Sequence, residues 1–274
     1  MEKSKVSLLG RIAGVYRETA AILLENPTIA LLFLFIAVLD GLALAALFLA
    51  PSWPFSAIVA PIIRTFWSER FLHYPDNFVL LPKLFNHAHF VILTVFGVIV
   101  NGLVIKKIEG EVKGQKITTF AAAGPVFRKY FSLLAGWVIC YGLFIFAAER
   151  TLKMLPGILP LQFSAGFIVS LILQALFAFV LPALLIEANG FIKNFWRGLV
   201  FSVQHFVTVC VMVALPVLLM VVLSFVKALA PLYSRSYPEA VLWVLGFGIL
   251  ITLIVEITVT VTTAVYYIKE RNRQ

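Results

Sequence analysis

Six uninterrupted apolar blocks constrain this chain more than any other feature of its sequence. They lie at about 29–50, 89–105, 131–148, 164–186, 205–227 and 241–267. A helix needs about 20 apolar residues to cross a hydrocarbon core of roughly 30 Å. Backbone groups in lipid must bond within their own segment, and blocks of this length do so as helices rather than as alternating strands of about ten residues. The sequence therefore predicts an all-α integral membrane protein with about six transmembrane helices, forming a single domain over 1–274.

The composition excludes an ordinary soluble domain. Of the 274 residues, 62% are hydrophobic and 13% are charged, whereas a soluble domain has about 45–50% apolar and about 25% charged residues. The net charge is +9, but the basic residues adjoin the apolar blocks and form no run interleaved with aromatic residues. This pattern indicates attraction to membrane lipids with anionic headgroups and gives no sign of nucleic-acid binding.

The distribution of Lys and Arg predicts the orientation in the membrane. Cytoplasmic loops of membrane proteins carry an excess of these residues. Most of the 22 lie in the N-terminal segment, in the connections after spans 2 and 4, and in the C-terminal tail. The opposite side has only Arg64, Arg70, Lys83, Arg150, Lys153, Lys227 and Arg235. We therefore expect a multi-pass protein of the cytoplasmic (inner) membrane with both termini in the cytoplasm.

Each span that leaves the cytoplasm follows a short amphipathic and basic stretch, at about 5–25, 125–130 and 190–204. At about 100° per residue, one face of the first stretch holds Leu8, Ile12, Val15, Tyr16, Thr19, Ile22 and Leu23. In the third, Lys193 and Arg197 oppose a face of Phe191, Ile192, Phe195, Trp196, Leu199, Val203 and Phe206. Such helices lie in the headgroup plane, which predicts three transmembrane hairpins, each preceded by a cytoplasmic interfacial helix. The alternative is ordinary loops, since loops that enter a membrane also carry aromatic and basic residues.

Three runs of sequence carry a resemblance to a known family: LLENPTIALLFLF at 23–35, ANGFIKNFWRGLVFSVQHF at 188–206 and TTAVYYIKE at 262–270. They resemble the six-helix membrane domain found beside some bacterial glycerophosphodiester phosphodiesterases and in related stand-alone membrane proteins. The resemblance covers nearly the whole chain and implies a six-helix fold. It does not imply the phosphodiesterase reaction, because the 274 residues include no hydrolase domain.

The longest connection, at 51–88, is rich in Pro, Trp, Phe and His, so we expect it to be ordered. Its residues 57–72 could form a helix on the outer membrane surface, either packed on the bundle or acting as a substrate gate. His73, His87 and His89 lie on this side. Imidazole is a common metal ligand, but His87 and His89 point to opposite sides of a helix. We expect interfacial or solvent-exposed histidines, with a metal site as the alternative.

Asp40 and Glu256 are the only carboxylates within the six blocks. A carboxylate inside a membrane costs a few kcal/mol and usually faces the interior of the helix bundle. In span 6, polar residues recur at helical spacing and form a stripe of Thr252, Glu256, Thr260, Thr263 and Tyr267. Gln174 and Asn101 could form hydrogen bonds to this stripe. These residues either join helices or line a path for protons or a small solute.

Small residues and prolines predict how the spans pack and bend. Ala37, Gly41 and Ala45 form a small-residue face on span 1, which would let a neighbouring helix approach closely. Pro182 in span 4 and Pro216 in span 5 would kink their helices.

The chain shows no catalytic or cofactor motif, because no nucleophile–base pair or phosphate loop occurs at a usable spacing. The sequence favours a non-enzymatic scaffold or accessory subunit that acts on lipids, or on a protein partner in the membrane, through its interfacial helices. The first alternative is a small-solute or proton-coupled transporter that uses Asp40 and Glu256, although three hairpins of one orientation are not the inverted repeats that carriers often have. The second alternative is a lipid-modifying enzyme.

Overall fold

The computed structural model describes residues 8–66, 69–74, 76–155, 158–229, 232 and 237–273. Within these residues the regular structure is helical and no strand occurs. Six helical segments are long and apolar enough to cross a membrane: Thr28–Leu49, Asp76–Val112, Tyr130–Ala148, Pro160–Ile186, Phe206–Ala228 and Ala240–Arg271. The predicted class, an α-helical multi-pass membrane protein, is confirmed at this level.

The helices follow one another with short connections. In order they are α1 (Leu8–Glu25), α2 (Thr28–Leu49), α3 (Phe55–Phe66), α4 (Asp76–Ile92), α5 (Val98–Val112), α6 (Thr119–Arg128), α7 (Tyr130–Met154), α8 (Leu159–Phe177), α9 (Val180–Ile186), α10 (Phe191–Gln204), α11 (Phe206–Ala228) and α12 (Ala240–Arg271). A short 3-10 helix, Glu69–Leu72, lies between α3 and α4. A π-helical turn, Leu93–Gly97, joins α4 to α5.

The second span is much longer than the 89–105 expected from the sequence. It begins at Asp76 and continues through α4, the π-helical turn and α5 to Val112. Asp76 lies in the first turn, where a carboxylate interacts favourably with the helix dipole. The sequence pattern missed residues 76–88 of this segment because they include the charged Lys83 and the polar His87. His89, the first residue of the predicted span, therefore lies well inside the helical segment rather than at its outer end.

Part of the apolar face of α1 packs against the protein. Ile12, Val15 and Ile22 are buried on that face, and the hydroxyl of Tyr16 donates a hydrogen bond to the carbonyl of Met212. The expectation of a cytoplasmic interfacial helix at 5–25 therefore stays a prediction, and the structure adds that part of its apolar face is covered by protein. Residues 5–7, which that prediction also included, lie outside the described residues.

The helix before span 3 begins earlier than the expected 125–130. Thr118 caps α6, since its Oγ1 accepts a hydrogen bond from the amide of Ala121 at 3.3 Å. A side-chain cap of this kind satisfies an amide at the helix start that has no partner within the helix. Pro125 lies within the helix instead of before it.

The described residues form two compact units, and the single domain expected over 1–274 stays a prediction. The first unit consists of 8–33, 97–221 and 255–273, and the second consists of 34–96 and 222–254. Several long helices, α2, α11 and α12 among them, contribute residues to both units. The core of the second unit includes Phe71, Leu81, Phe85 and Leu245.

In the first unit, α10 lies very close to the start of α9 at Gly198. A Cβ atom at this position would lie 2.8 Å from Val180 Cα and 3.0 Å from the Phe179 carbonyl oxygen. A Cβ atom at Gly41, by contrast, would meet nothing within 4 Å in the described structure. The close helix contact predicted around Gly41 is therefore not present at that residue.

Candidate functional site

The second unit brings two of the sequence-predicted polar residues together inside the apolar part of the chain. Asp40 lies one helical turn before Leu44 on α2, and His89 lies one turn after Phe85 on α4. Leu44 and Phe85 both belong to the apolar core of this unit. Residues four apart share a helix face, so the core positions both polar side chains at its edge.

Asp40 and His89 form a close pair. Nδ1 of His89 lies 3.0 Å from Oδ1 and 2.9 Å from Oδ2 of Asp40. Asp40 is only 2% exposed, whereas the His89 side chain is 22% exposed. A carboxylate that accepts from Nδ1 fixes the orientation of the imidazole ring and leaves Nε2 on the other edge of the ring. Among the described residues, no group bonds to that Nε2.

Two aromatic and cationic contacts surround this pair. The rings of Phe85 and His89 stack, with centroids 6.2 Å apart and an interplanar angle of 23°. The ammonium group of Lys227, on α11, lies 5.7 Å from the centroid of the Phe85 ring, a distance at which a cation is attracted to the ring face. The charge of Asp40 also acts on Lys227. Three ionisable side chains thus gather in the second unit.

The remaining polar candidates of the predicted stripe lie on one helix, α12, and differ in their hydrogen bonds. Thr260 donates to Oδ1 of Asn101 at 2.8 Å, as expected. Thr263 instead donates to the carbonyl of Val259 on its own helix at 2.7 Å, and no hydrogen bond joins Gln174 to the stripe within the described structure. Ser and Thr hydroxyl groups in helices often donate to the backbone carbonyl one turn earlier. Glu256 is partly exposed and belongs to the first unit, while the buried Thr252 belongs to the second.

The three histidines proposed as alternative metal ligands have separate environments. His73 is exposed, and Nδ1 of His87 lies 2.7 Å from the carbonyl oxygen of Lys83 one turn earlier. His89 faces Asp40. Within the described residues, no group of three His, Cys, Asp or Glu side chains is arranged to hold a metal ion.

The first unit contains a charged cluster that sequence reasoning missed, centred on Glu187. This residue follows α9, and its side chain is only 5% exposed. Its Oε2 lies 2.8 Å from Nη1 of Arg197, and its Oε1 lies 2.9 Å from Nε of Arg271. The hydroxyl of Tyr267 donates to the same Oε1 at 3.0 Å. We call these four residues the Glu187 clamp.

The backbone around Glu187 is also held by side chains. Nζ of Lys129 donates to the carbonyl of Glu187 at 2.6 Å, and to the carbonyls of Leu184 and Leu185 at 3.1 and 3.0 Å. These carbonyls end α9, where a cation offsets the negative end of the helix dipole. Burial lowers the pKa of Lys129, and the charge of Lys106 acts in the same direction.

Asn194, on α10, also bonds to the backbone around Glu187. Its Nδ2 donates to the carbonyls of Glu187 and Asn189 at 3.1 and 2.8 Å. The clamp and these backbone bonds therefore fix α9, α10 and the end of α12 to one another within the first unit. We interpret the Glu187 clamp as a structural contact between helices, because each of its charged groups is paired with another.

No protein-family model matches this chain, and comparison with curated proteins and with solved structures gives no significant match either. The resemblance to the phosphodiesterase-associated membrane domain therefore stays a prediction.

Proposed function

We propose that this protein is a non-enzymatic scaffold or accessory subunit of the membrane, which lies against anionic lipid headgroups through α10 and α6. In this proposal the six spans form three hairpins, both termini are cytoplasmic, and α10 and α6 are interfacial helices. The observation that carries the proposal is the surface of α10.

The two sides of α10 have opposite properties. Its inner side packs into the first unit through the buried residues Asn194, Gly198, Phe201 and Ser202. Its outer side exposes large apolar groups: Ile192 is 81% exposed and Trp196 is 66% exposed. Lys193 is also exposed next to them. In water this surface would be unfavourable, whereas at the headgroup boundary the apolar groups enter the acyl region and the lysine meets lipid phosphates.

A second surface of the same kind lies on α6 and the start of α7. Phe120, Phe127 and Phe131 are exposed there, and Arg128 lies between the last two. Both surfaces belong to the first unit, which also contains the basic connections after spans 2 and 4. Clusters of Lys and Arg beside membrane spans attract anionic lipids by about 1 kcal/mol for each residue near the surface.

Spin labels can test where α10 lies. After Cys140 and Cys210 are replaced, single cysteines at Ile192 and Lys193 would be labelled in anionic liposomes and probed with a lipid-soluble and a water-soluble relaxation agent. We expect the label at 192 to meet the lipid-soluble agent and the label at 193 to meet the water-soluble one. If both labels meet only the water-soluble agent, α10 is a solvated loop helix and the proposal fails.

The lipid preference needs a charge control. Anionic lipid added to the detergent-solubilised protein should raise its melting temperature more than zwitterionic lipid does. Lys193→Gln with Arg128→Gln should reduce that difference, and Lys83→Gln, an exposed lysine on the side predicted to be outer, should not. An equal response of all variants to both lipids would contradict binding of anionic headgroups.

A further inference from the structure

A cleft lies between the end of α5 and the start of α6, within the first unit. Its volume is about 240 Å³. The charged residues that line it are Lys106, Glu109 and Lys113, and the residues that line it from α6 are Ala121, Ala122 and Pro125. We call it the α5–α6 cleft. Its lining combines cationic groups with an apolar wall.

One buried carboxylate holds both ammonium groups of the cleft. Nζ of Lys106 donates to Oε2 of Glu109 at 2.7 Å, and Nζ of Lys113 donates to Oε1 at 2.6 Å. The Glu109 side chain is 10% exposed, while those of Lys106 and Lys113 are 19% and 45% exposed. Among the described residues, no second carboxylate bonds to either lysine. One positive charge of this group is therefore left without a counter-charge, and a partly buried charge is screened less by salt than an exposed one.

The turn between α5 and α6 is fixed by backbone hydrogen bonds, which define the shape of the cleft. Gly114 has a φ of +71°, and its amide donates to the carbonyl of Glu111 at 3.0 Å. The amide of Gln115 donates to the carbonyl of Gly110 at 2.9 Å. This is a common glycine-dependent ending of a helix. A Cβ atom at Gly110 would lie 2.6 Å from the carbonyl oxygen of Gln115, so the turn packs directly on α5.

The two lysines have hydrogen-bond donors left for a ligand. An ammonium group has three donors, and in the described structure Lys106 and Lys113 each use one of them on Glu109. Each can therefore donate to a further acceptor without leaving the carboxylate. Lysine is a common ligand of phosphate. The first turn of α6 adds the positive end of a helix dipole, which also favours an anion.

The neighbouring charges favour an anion as well. The charges of Lys106 and Glu109 act on Lys129, whose ammonium group donates to backbone carbonyls at the end of α9. Lys116 is exposed on the turn between the two helices. The other carboxylate of this region, Glu111, accepts a hydrogen bond from Nδ2 of Asn26 at 2.8 Å.

We propose that the α5–α6 cleft binds a phosphate group through Lys106 and Lys113. Because the α6 side of the cleft is apolar, the ligand is a phosphate ester with an organic substituent. Lipid headgroups and soluble phosphate esters both carry this group. The second membrane-spanning segment ends at Val112, so the cleft lies where a span leaves the membrane and is open to either source.

The cleft is separate from the surfaces that carry the proposed function. Ala121 and Pro125 lie one turn apart on α6, on a different face from Phe120 and Phe127. Helix α10 contributes no residue to the lining of the cleft. Either proposal can therefore fail alone.

Binding of a soluble and a lipid phosphate to the full chain tests the cleft. Ethyl phosphate would be titrated by calorimetry into the protein in an uncharged detergent at constant ionic strength. Phosphatidic acid would be compared with phosphatidylcholine by the rise in melting temperature, in a Lys193→Gln and Arg128→Gln background that weakens binding by α10 and α6. We expect a response to at least one phosphate, and a response to only one of them identifies its source.

Replacing the two lysines shows whether the phosphate lies in the cleft. Lys106→Gln with Lys113→Gln should abolish the response, whereas Lys116→Gln, which removes an exposed lysine from the same turn, should keep it. Absence of any response from the protein with both lysines overturns the proposal. A response that the double variant retains overturns it as well.

A single substitution covers the case in which the double variant does not fold. The Lys113 side chain is 45% exposed, so Lys113→Gln should leave the fold intact. Loss of one hydrogen bond between charged groups should weaken phosphate binding about tenfold or more, and Lys116→Gln should leave it nearly unchanged. Equal weakening by the two substitutions would mean that phosphate responds only to the overall charge of the turn, which contradicts a site in the cleft.

Discussion

Glu187 holds two arginines and a tyrosine although it is almost fully buried. A buried carboxylate needs such partners, because an uncompensated charge in this environment costs several kcal/mol. The ammonium group of Lys129 donates a hydrogen bond to the backbone carbonyl of Glu187. The backbone of Glu187 and its carboxylate are thus bonded by residues from different parts of the sequence.

Glu187→Gln should destabilise the protein strongly. The amide keeps the shape of the side chain but leaves Arg197 and Arg271 without their counter-charge. Because both arginines are partly exposed, we expect a loss of about 1.5–3 kcal/mol, the contribution of a hydrogen bond to a charged group. The measurement is the midpoint of thermal unfolding in detergent. Glu69→Gln is the matched control, because its partner Arg64 is exposed and such pairs contribute about 0–1 kcal/mol. Equal shifts for the two variants would show that the clamp adds no stability.

His205 should make the stability of the protein sensitive to pH. Burial lowers the pKa of His205, Arg11 acts in the same direction and Glu270 opposes them. The Tyr266 hydroxyl lies 2.9 Å from its Nδ1. The unfolded chain therefore binds more protons at this residue than the folded one, so stability falls as the pH decreases below the ordinary value of about 6.5.

The contribution of His205 can be measured by comparing the pH dependence of the melting temperature with and without this residue. Melting temperatures between about pH 5 and pH 8 should fall less steeply on acidification for His205→Gln than for the unsubstituted protein. His73→Gln, an exposed histidine, should leave the curve unchanged. A curve for His205→Gln as steep as the original would mean that other groups cause the loss.

At the scale of helices, one glycine position requires the absence of a side chain. Gly198→Ala would place a methyl group against the backbone of α9, and overpacking of this kind costs about 1–3 kcal/mol. Gly41→Ala would meet nothing and should be neutral or stabilise α2 by up to about 1 kcal/mol, since Ala is the better helix former. The measurement is the melting temperature of each variant compared with that of the unsubstituted protein. A lower melting temperature for the Gly41 variant would contradict the open space that the structure shows beside Gly41.

The sequence predicted the long helices well because an apolar block long enough to cross a membrane has few other structures available. It failed where polar residues share a helix with apolar ones. The start of the second span was missed since Lys83 and His87 interrupt the apolar pattern, and His89 was therefore placed at the outer end of that span. The break between α8 and α9 lies just before Pro182, as the proline suggested, whereas α11 continues through Pro216.

The pairings between distant residues could not be predicted at all. The sequence analysis assigned no role to Glu187, whose partners come from positions 129, 197, 267 and 271. One signal was available: a carboxylate directly after an apolar span, followed within three turns by Arg197 on an amphipathic helix. Periodicity describes one helix at a time, so it gives neither the Asp40–His89 pair nor the clamp.

For the whole molecule, the orientation in the membrane is the next quantity to measure. In a variant without Cys140 and Cys210, single cysteines at Ser52 and Tyr237 should react with an impermeant thiol reagent in intact cells. A cysteine at Gln115 should react only after the cells are opened. All three positions are exposed in the structure, and the expectation follows from the Lys and Arg asymmetry. Labelling of position 115 from outside would reverse the orientation.

The Glu187 clamp also imposes an order on biosynthesis. The ribosome adds Arg197 10 residues after Glu187, whereas Arg271 follows 84 residues after it. Until Arg271 is made, the carboxylate has one arginine partner instead of two. Helix α12 therefore completes a cluster whose other residues are made before it, and a chain that stalls before Arg271 lacks one of the two arginines that neutralise Glu187.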